Sequence, residues 1–183
     1  SDADASDTVT LTYVWKVNGT TRKTTSGSSS LTDTFDLSVA GNGDNGDTVT
    51  VEVTPNDGTA NGTMVSDSAS VGNAAPVVDT VVIDQANPTT NQTLSVTVTS
   101  HDNDNDPVTY AYQWSKNGTD ISGATSSTLD LSQTANGGNG NRGDLIRVRV
   151  TANDGSANSD PVTSSPVTVA NTAPSATVSL NTS

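Results

Sequence analysis

The chain has 183 residues, of which only 31% are hydrophobic and 3% aromatic, and its formal net charge is −13. This length is enough for one large domain or for two of ordinary size. The negative charge comes almost wholly from Asp, since Glu52 is the only glutamate, and an acidic surface repels nucleic acid and anionic membranes while it favours cations. Nucleic-acid binding is therefore excluded as a function.

The sequence contains no cysteine and no long apolar segment. Disulfides, thiolate catalysis and thiolate zinc sites are therefore excluded, although an extracellular location is not. No stretch approaches the ~20 apolar residues of a membrane-spanning helix, so we predict no membrane insertion within this chain. The apolar residues fall instead in short alternating runs, which is typical of β-strands.

Two strand patterns stand out in the first half of the chain. In "DTVTLTYVWKVNGT" (7–20), every second residue is apolar, namely Val9, Leu11, Tyr13, Trp15 and Val17. This period of two predicts a strand with one buried face. In "GDTVTVEVTPNDGTANG" (46–62), the same pattern places one face at Val49, Val51 and Val53. Between them, Phe35 and Leu37 predict a shorter strand.

The second half of the chain repeats the first. The segment "DPVTYAYQWSKNGT" (106–119) matches 7–20, "GDLIRVRVTANDGSANS" (143–159) matches 46–62, and "NTAP" (171–174) matches "NAAP" (73–76). The offsets are 99, 97 and 98 residues, so the period is about one hundred. Glycine-rich turns separate the runs and no helical periodicity of useful length occurs, which predicts an all-β fold of antiparallel sandwiches.

Three motifs carry a resemblance to a known group: the strand that ends in Trp, the later V-x-V-x-V-T-x-N-D-G strand, and the N-x-A-P junction. Together they resemble bacterial immunoglobulin-like repeats, and they are similar also to polycystic-kidney-disease-type and cadherin-like repeats of microbial surface proteins. The resemblance covers nearly the whole chain. It implies tandem immunoglobulin-like β-sandwiches in which the Trp packs against aliphatic residues, because the antibody-type Cys pair is absent.

The match between the halves also predicts domain boundaries. Residues 76–173 form a complete repeat, residues 1–75 form a repeat without its first two strands, and residues 174–183 match the first strand of a further repeat. A sandwich without two strands exposes a sheet edge and part of its core. Either the chain is a slice of a longer tandem array, or residues 176–181 of one copy complete the first repeat of the next by strand donation. Both explanations predict neighbouring copies or repeats that join head to tail.

An acidic loop precedes the second Trp strand, with aspartates at the alternate positions Asp102, Asp104 and Asp106. Ca²⁺ takes oxygen ligands, and alternate positions of a tight loop can turn carboxylates toward one point. An EF-hand is excluded, because its sixth position is here Pro107 rather than Gly and its twelfth is Gln113 rather than Glu.

The resemblance to cadherin-like repeats implies a calcium-rigidified junction between domains. In the second repeat it would add Asn73, Asn153 and Asp154 to the acidic loop. In the first repeat the equivalent residues are Asp2, Asp4, Asp7, Asn56 and Asp57. The alternative interpretation is that Asp, Asn and Gly are here only because they favour turns.

Two further motifs have structural explanations. The "RGD" at 142–144 corresponds to "NGD" at 45–47, so we interpret the Gly-Asp pair as part of a turn rather than as an integrin ligand. Sequons of the N-x-S/T type occur as often as chance predicts, but at turn positions they could carry glycans. The candidate glycosylation sites are Asn18, Asn61, Asn91, Asn117 and Asn181.

Enzymatic activity is not predicted. His101 is the only histidine and lies in the acidic loop, where we interpret it as a solvated loop residue rather than a base, and no nucleophile–base pair recurs in the two halves. The aromatic residues occupy strand positions that predict core packing rather than carbohydrate binding; they are Tyr13, Trp15, Phe35, Tyr110, Tyr112 and Trp114.

These patterns favour a non-catalytic extracellular structural module on a microbial cell surface, as part of a tandem-repeat stalk or as a subunit of a fibre. Calcium at the junctions between domains would stiffen such an array and stabilise its small cores. The alternative is a ligand- or carbohydrate-binding module of an adhesin or of a secreted hydrolase.

Overall fold

The computed structural model describes residues 8–133 and 138–178. All of its regular elements are β-strands that pair in antiparallel ladders, which confirms the predicted all-β fold class. A helix that is long and apolar enough to cross a membrane is not found in this part of the chain. Several predicted positions lie outside the described residues, namely Asp2, Asp4, Asp7, Asn181 and the second half of the candidate donor strand, residues 179–181.

The chain divides into two compact units. The first unit ends at Ala74 and also takes in Asn103–Asp106, whereas the second unit consists of Ala75–Asp102 and the residues from Pro107 onward. The first unit has one sheet with the strand order β2-β1-β3-β4. Its strands are β1 (Thr10–Val17), β2 (Thr20–Ser28), β3 (Thr48–Asn56) and β4 (Val65–Ser70).

The second unit has two sheets. The strands of its smaller sheet, in spatial order, are β5 (Val77–Ile83), β6 (Thr93–His101) and β9 (Thr128–Asp130). Those of its larger sheet, also in spatial order, are β8 (Thr119–Asp120), β7 (Thr109–Lys116), β10 (Leu145–Asn153) and β11 (Val162–Thr163). A short strand, β12 (Val167–Thr168), pairs with the other end of β10. Strand β5 of the smaller sheet packs against β10 and β11 of the larger one, so the unit is β-sandwich-like.

Strand β10 shows why the sequence folds in this way. Its residues Ile146, Val148 and Val150 are fully buried, while Arg147 and Arg149, on the opposite face, are exposed. Alternate side chains of a strand point to opposite faces, so a period of two in the sequence separates core from solvent. The core cluster lies entirely in the second unit and comprises Val78, Val81, Ile83, Leu94, Trp114, Leu129, Leu131, Ile146, Val148, Val150, Ala152, Val167 and Val169.

Each unit contains an Asn-Gly hairpin turn. Asn18 and Gly19 have φ angles of 49° and 79°, and they join β1 to β2 through the pair Val17↔Thr20. Asn117 and Gly118 join β7 to β8 in the same way, with φ angles of 52° and 84°. Two-residue hairpin loops with positive φ at both positions favour Asn-Gly, because few other residues tolerate that conformation.

Two of the aromatic predictions are wrong. Phe35 lies outside any strand and stacks on Trp15, with ring centroids 5.4 Å apart and planes within 8° of parallel. Tyr110 lies on β7 as predicted but is 36% exposed, and its hydroxyl forms a 2.6 Å hydrogen bond with the Ser100 hydroxyl. A phenol near a strand end can keep its oxygen close to water while its ring packs on a neighbour.

Candidate functional site

The acidic loop brings its three aspartates together. Asp102, Asp104 and Asp106 each offer one carboxylate oxygen, and these oxygens all lie within 4.8 Å of one another. The three side chains are half-buried, whereas Asn103 and Asn105 between them are exposed. Asn105 has a positive φ of 59°, which turns the chain tightly at the centre of the loop. The alternation predicted from the sequence therefore does converge carboxylates on one small region.

The spacing of these oxygens suits a hard cation. Two oxygens that are each ~2.3–2.6 Å from one Ca²⁺ ion can be at most about 5.2 Å apart, and the observed limit of 4.8 Å lies within that range. Carboxylates are also the oxygen ligands that calcium prefers. One of them already has a protein donor, because the Ala74 backbone N–H donates to Asp104 Oδ2 at 2.6 Å.

The other predicted ligands serve turns. Asp154 Oδ1 accepts from the backbone N–H groups of Ser156 and Ala157 at 2.6 and 2.7 Å. Asn153 accepts from the Gly155 N–H through Oδ1 and donates through Nδ2 to the Asn158 side chain. In the part of the chain that the structure describes, Asp154 does not belong to a cluster of three acidic groups.

The first unit has the same turn. Asp57 Oδ1 accepts from the Thr59 and Ala60 N–H groups, both at 2.7 Å, and Asn56 Nδ2 donates to Asn61 Oδ1 at 2.8 Å. The hydrogen bond from Ala60 N–H, followed by that from Thr59, holds the pKa of Asp57 below its ordinary value. Both "ND" pairs thus form the same turn, and among the residues that the structure describes neither Asp57 nor Asp154 belongs to a cluster of three acidic groups. Their part in an ion site stays a prediction.

Asn73, the predicted ligand from the preceding linker, is half-buried. Its Oδ1 accepts from Asn45 Nδ2 at 3.1 Å, and its Nδ2 donates to the Ala74 carbonyl at 3.0 Å. The neighbouring Ala74 N–H is the one that reaches Asp104. A contribution of Asn73 itself to an ion site stays a prediction.

A second recurring arrangement ties the hairpin turn to the following strand. Asn117 Nδ2 donates to Asp144 Oδ1 at 2.7 Å, and Asn117 Oδ1 accepts from the Leu145 N–H at 2.9 Å. Asn18 makes the same two bonds to Asp47 and Thr48, at 2.6 and 2.9 Å. Both aspartates therefore complete a turn, as the comparison of "RGD" with "NGD" indicated.

These bonds also affect the carboxylates. Burial opposes the ionisation of Asp144, but the Asn141 N–H and the Asn117 amide outweigh it and lower the pKa of Asp144. The Asp44 N–H, with help from the Asn18 amide, lowers the pKa of Asp47. Hydrogen bonds to an ionised carboxylate stabilise its charged form. The two aspartates are thus structural anions at neutral pH.

The candidate glycosylation sites differ in the number of hydrogen bonds that their side-chain amides make. Asn18 and Asn117 use both ends of the side-chain amide in the bonds just described. Asn61 accepts one hydrogen bond through its oxygen. Asn91 is exposed in the turn before β6. Glycosylation at any of them stays a prediction.

Asp33 is a structural residue that sequence reasoning missed. Its Oδ2 accepts from Trp15 Nε1 at 2.9 Å and from the Thr25 hydroxyl at 3.2 Å, and its Oδ1 pairs with Lys23 Nζ at 2.9 Å. The hydrogen bond from Lys23 is the largest influence that lowers the pKa of Asp33, against a smaller opposing effect of burial. The second unit has no acidic counterpart, because Trp114 Nε1 donates to the Ser126 carbonyl instead. The comparison of repeats therefore contained no signal for Asp33.

The single histidine forms an exposed pair. His101 Nδ1 lies 2.9 Å from Asp79 Oδ1, with both side chains about half accessible to solvent. The pair links β5 to β6, where Val77 and His101 are register partners. His101 is thus an exposed residue at the end of β6, and its predicted position within the acidic loop is wrong.

No protein-family model and no curated protein matches this chain.

Proposed function

We propose that this chain is a non-catalytic structural module that works outside the cell, as a segment of a stalk or fibre built from similar repeats. The observation that carries the proposal is that two separate units make the same local contacts at positions 97 to 99 residues apart. Examples are the Asn18–Asp47 and Asn117–Asp144 bonds, and the Asn56–Asn61 and Asn153–Asn158 bonds. Repeated units of one kind are suited to building length.

The chemistry of the surface supports the same proposal. The chain carries a net charge of −13 spread over loops rich in Asp, Asn, Ser and Thr, which keeps an extended protein soluble and apart from anionic surfaces. Most aspartates whose contacts are described above accept hydrogen bonds from nearby backbone groups and thereby shape turns. These aspartates therefore have structural roles, which is consistent with a stalk or fibre.

The function is tested by the shape of the native material. Antibodies against this chain should label continuous fibres or stalks in electron micrographs of the cell surface from which it comes. Labelling of isolated particles, combined with saturable binding of the chain on an oligosaccharide array, would overturn the structural proposal in favour of a binding module. Tyr110, as an exposed aromatic ring, is the residue to replace first in that case.

Calcium is the second part of the proposal, and it rests on the acidic loop. We expect Asp102, Asp104 and Asp106 to hold the ion through one carboxylate oxygen each, with water completing the coordination shell. Calcium binding would offset the repulsion between the three carboxylates and hold the loop before β7 in one conformation. A fixed loop limits hinge motion along an array.

Calcium should raise the melting temperature of the metal-free chain. At a concentration one hundred times Kd, a ligand specific for the folded state stabilises it by about 2.7 kcal/mol, which shifts the melting temperature by several degrees. Scanning calorimetry after treatment with a chelator, with and without added Ca²⁺, measures the shift. Mg²⁺ at equal concentration should act less, because it demands a tighter octahedral shell.

A matched pair of variants makes the calcium test specific. Asp104→Asn removes one charge from the loop while it keeps an oxygen for the Ala74 N–H, and it should abolish the calcium response. Asp160→Asn makes the same charge change at an exposed position outside the loop and should leave the response intact. An equal response in both variants means that calcium acts through the overall charge and not through this site.

A further inference from the structure

The first unit presents an open apolar surface, which we call the Trp15 face. It comprises Trp15, Phe35, Leu37, Val49 and Val71, which line a shallow groove of about 180 Å³ together with Ala69 and Ser70. Trp15 and Val71 are half-buried, and Leu37 is 46% exposed. Burial of apolar surface is the main contribution that stabilises a fold, and apolar side chains that stay in contact with water do not provide it.

The same positions of the second unit are closed. Trp114, Leu129 and Leu131, which correspond to Trp15, Phe35 and Leu37, are 0%, 3% and 2% exposed. Val169, which corresponds to Val71, is 1% exposed. The register is the same as well, since Trp15 pairs with Val51 on β3 and Trp114 pairs with Val148 on β10. The two faces thus have the same chemistry and differ in whether they are covered.

The cover of the second unit is the smaller sheet. Strand β5 packs on β10 and β11 and contributes Val81 and Ile83 to the core, and β6 contributes Leu94. Strand β6 also pairs with β9 through Leu94↔Leu129, which holds the Leu129–Leu131 segment in place. Within residues 8–74 and 103–106, the described part of the first unit, no strand lies on the Trp15 face.

We propose that the Trp15 face is a docking surface for an antiparallel strand pair of the β5–β6 type. Its occupant has aliphatic residues at alternate positions toward Trp15 and small polar residues toward solvent. The proposal builds on the repeat character of the proposed function, because the second unit shows which element covers an equivalent face. It also predicts a new strand: residues 34–36 correspond to β9 and would pair with the second strand of the occupant, as β9 does with β6.

The test adds the strand pair as a peptide. A peptide with the sequence of residues 76–101 is titrated into the full chain while acrylamide quenching of tryptophan fluorescence is followed. Trp114 is 0% exposed, so collisional quenching reports mainly on Trp15. We expect a saturable loss of quenching, a blue shift of the emission, and slower hydrogen exchange at the backbone amides of 34–36. A control peptide with Val81→Asp and Leu94→Asp should produce none of these changes.

Variants of the chain locate the binding surface. Leu37→Lys places a charge in the groove and should abolish the response to the peptide. Leu145→Lys makes the same change at a side chain of similar exposure, 43% against 46%, in the second unit and should leave the response unchanged. The proposal is overturned if the soluble peptide never reduces quenching, or if both variants respond like the parent chain.

Light scattering of the chain without peptide completes the test. Self-association that Leu37→Lys removes would show that a second copy covers the face, and it would replace the strand pair as the occupant. If the peptide does not bind, the proposed structural function is unaffected, because antibody labelling of fibres does not depend on peptide binding. If the peptide binds but antibodies against the chain label no fibre, the docking surface is retained and the stalk or fibre function is rejected.

Discussion

Trp114→Ala should destabilise the second unit by about 3–5 kcal/mol, the usual cost of removing a fully buried large aromatic side chain. Trp114 is 0% exposed and lies in the core beside Val148, its register partner on β10. Its Nε1 also donates to the Ser126 carbonyl at 2.9 Å, so truncation leaves both a cavity and an unpaired acceptor. Urea unfolding followed by circular dichroism measures the loss as a lower midpoint.

Two companion variants separate the contributions to this loss. Trp114→Phe retains most of the apolar volume but removes the bond to Ser126, so its cost should be clearly smaller than that of the alanine variant. Trp15→Ala should also cost less, because Trp15 is only half-buried and loses chiefly its stacking on Phe35 and its bond to Asp33. Equal costs for Trp15→Ala and Trp114→Ala would contradict the contrast between an open and a closed core.

Separated fragments of the chain should behave very differently. A fragment of residues 75–178 should fold and unfold cooperatively, because all thirteen residues of the core cluster belong to the second unit. A fragment of residues 1–74 should show no cooperative transition. In the described part of that fragment the buried hydrophobic residues are Tyr13, Val17 and Val49. A single sheet with so small a buried set cannot offset the entropy of ordering its chain.

Urea titration and the spread of amide proton resonances test both fragments. The larger fragment should give a sigmoidal transition and dispersed resonances, and the smaller one should give a gradual change and narrow dispersion. A smaller fragment that unfolds cooperatively by itself would contradict this expectation. It would mean that the sheet, together with the segment in which Phe35 stacks on Trp15, forms a sufficient core. Addition of the peptide of residues 76–101 should then have no stabilising effect.

Much of the strand content of this protein follows directly from sequence alternation. Strands β1, β3, β7 and β10 coincide with runs in which every second residue is apolar. The reason is local: a strand with one buried face requires period two, and β-branched residues favour it. The edge strand β2 was not predicted, because its sequence "TTRKTTSGS" has no apolar residue and it forms only through the Asn-Gly turn and pairing with β1.

The Phe35–Leu37 segment shows where alternation is insufficient. Its counterpart in the second unit contains β9, which exists because β6 lies beside it and supplies hydrogen-bond partners. In the first unit Phe35 instead stacks on Trp15, and the segment forms no strand. A strand is defined by its partner as much as by its own residues, and the partner is a non-local feature.

The candidate site divides in the same way between local and non-local causes. The convergence of Asp102, Asp104 and Asp106 was predictable, because three residues at alternate positions of one loop depend only on that loop. The engagement of Asp57 and Asp154 in their own turns also has a local cause, namely the backbone N–H groups two and three residues ahead. The role of Asp33 was not predictable, since it depends on Trp15 and Lys23 in other strands.

The all-β class, the positions of the principal strands and the spacing of the acidic loop could all be predicted from the order of the amino acids. Each of these depends on interactions between residues close in the chain. The repeat comparison also predicted that the first repeat exposes part of its core, but only the tertiary structure identifies the side chains concerned: Trp114 is enclosed, whereas the chemically equivalent Trp15 is half-buried. The physical reason is that burial depends on what covers a face, and the covering strands β5 and β6 are remote in sequence from the face that they close.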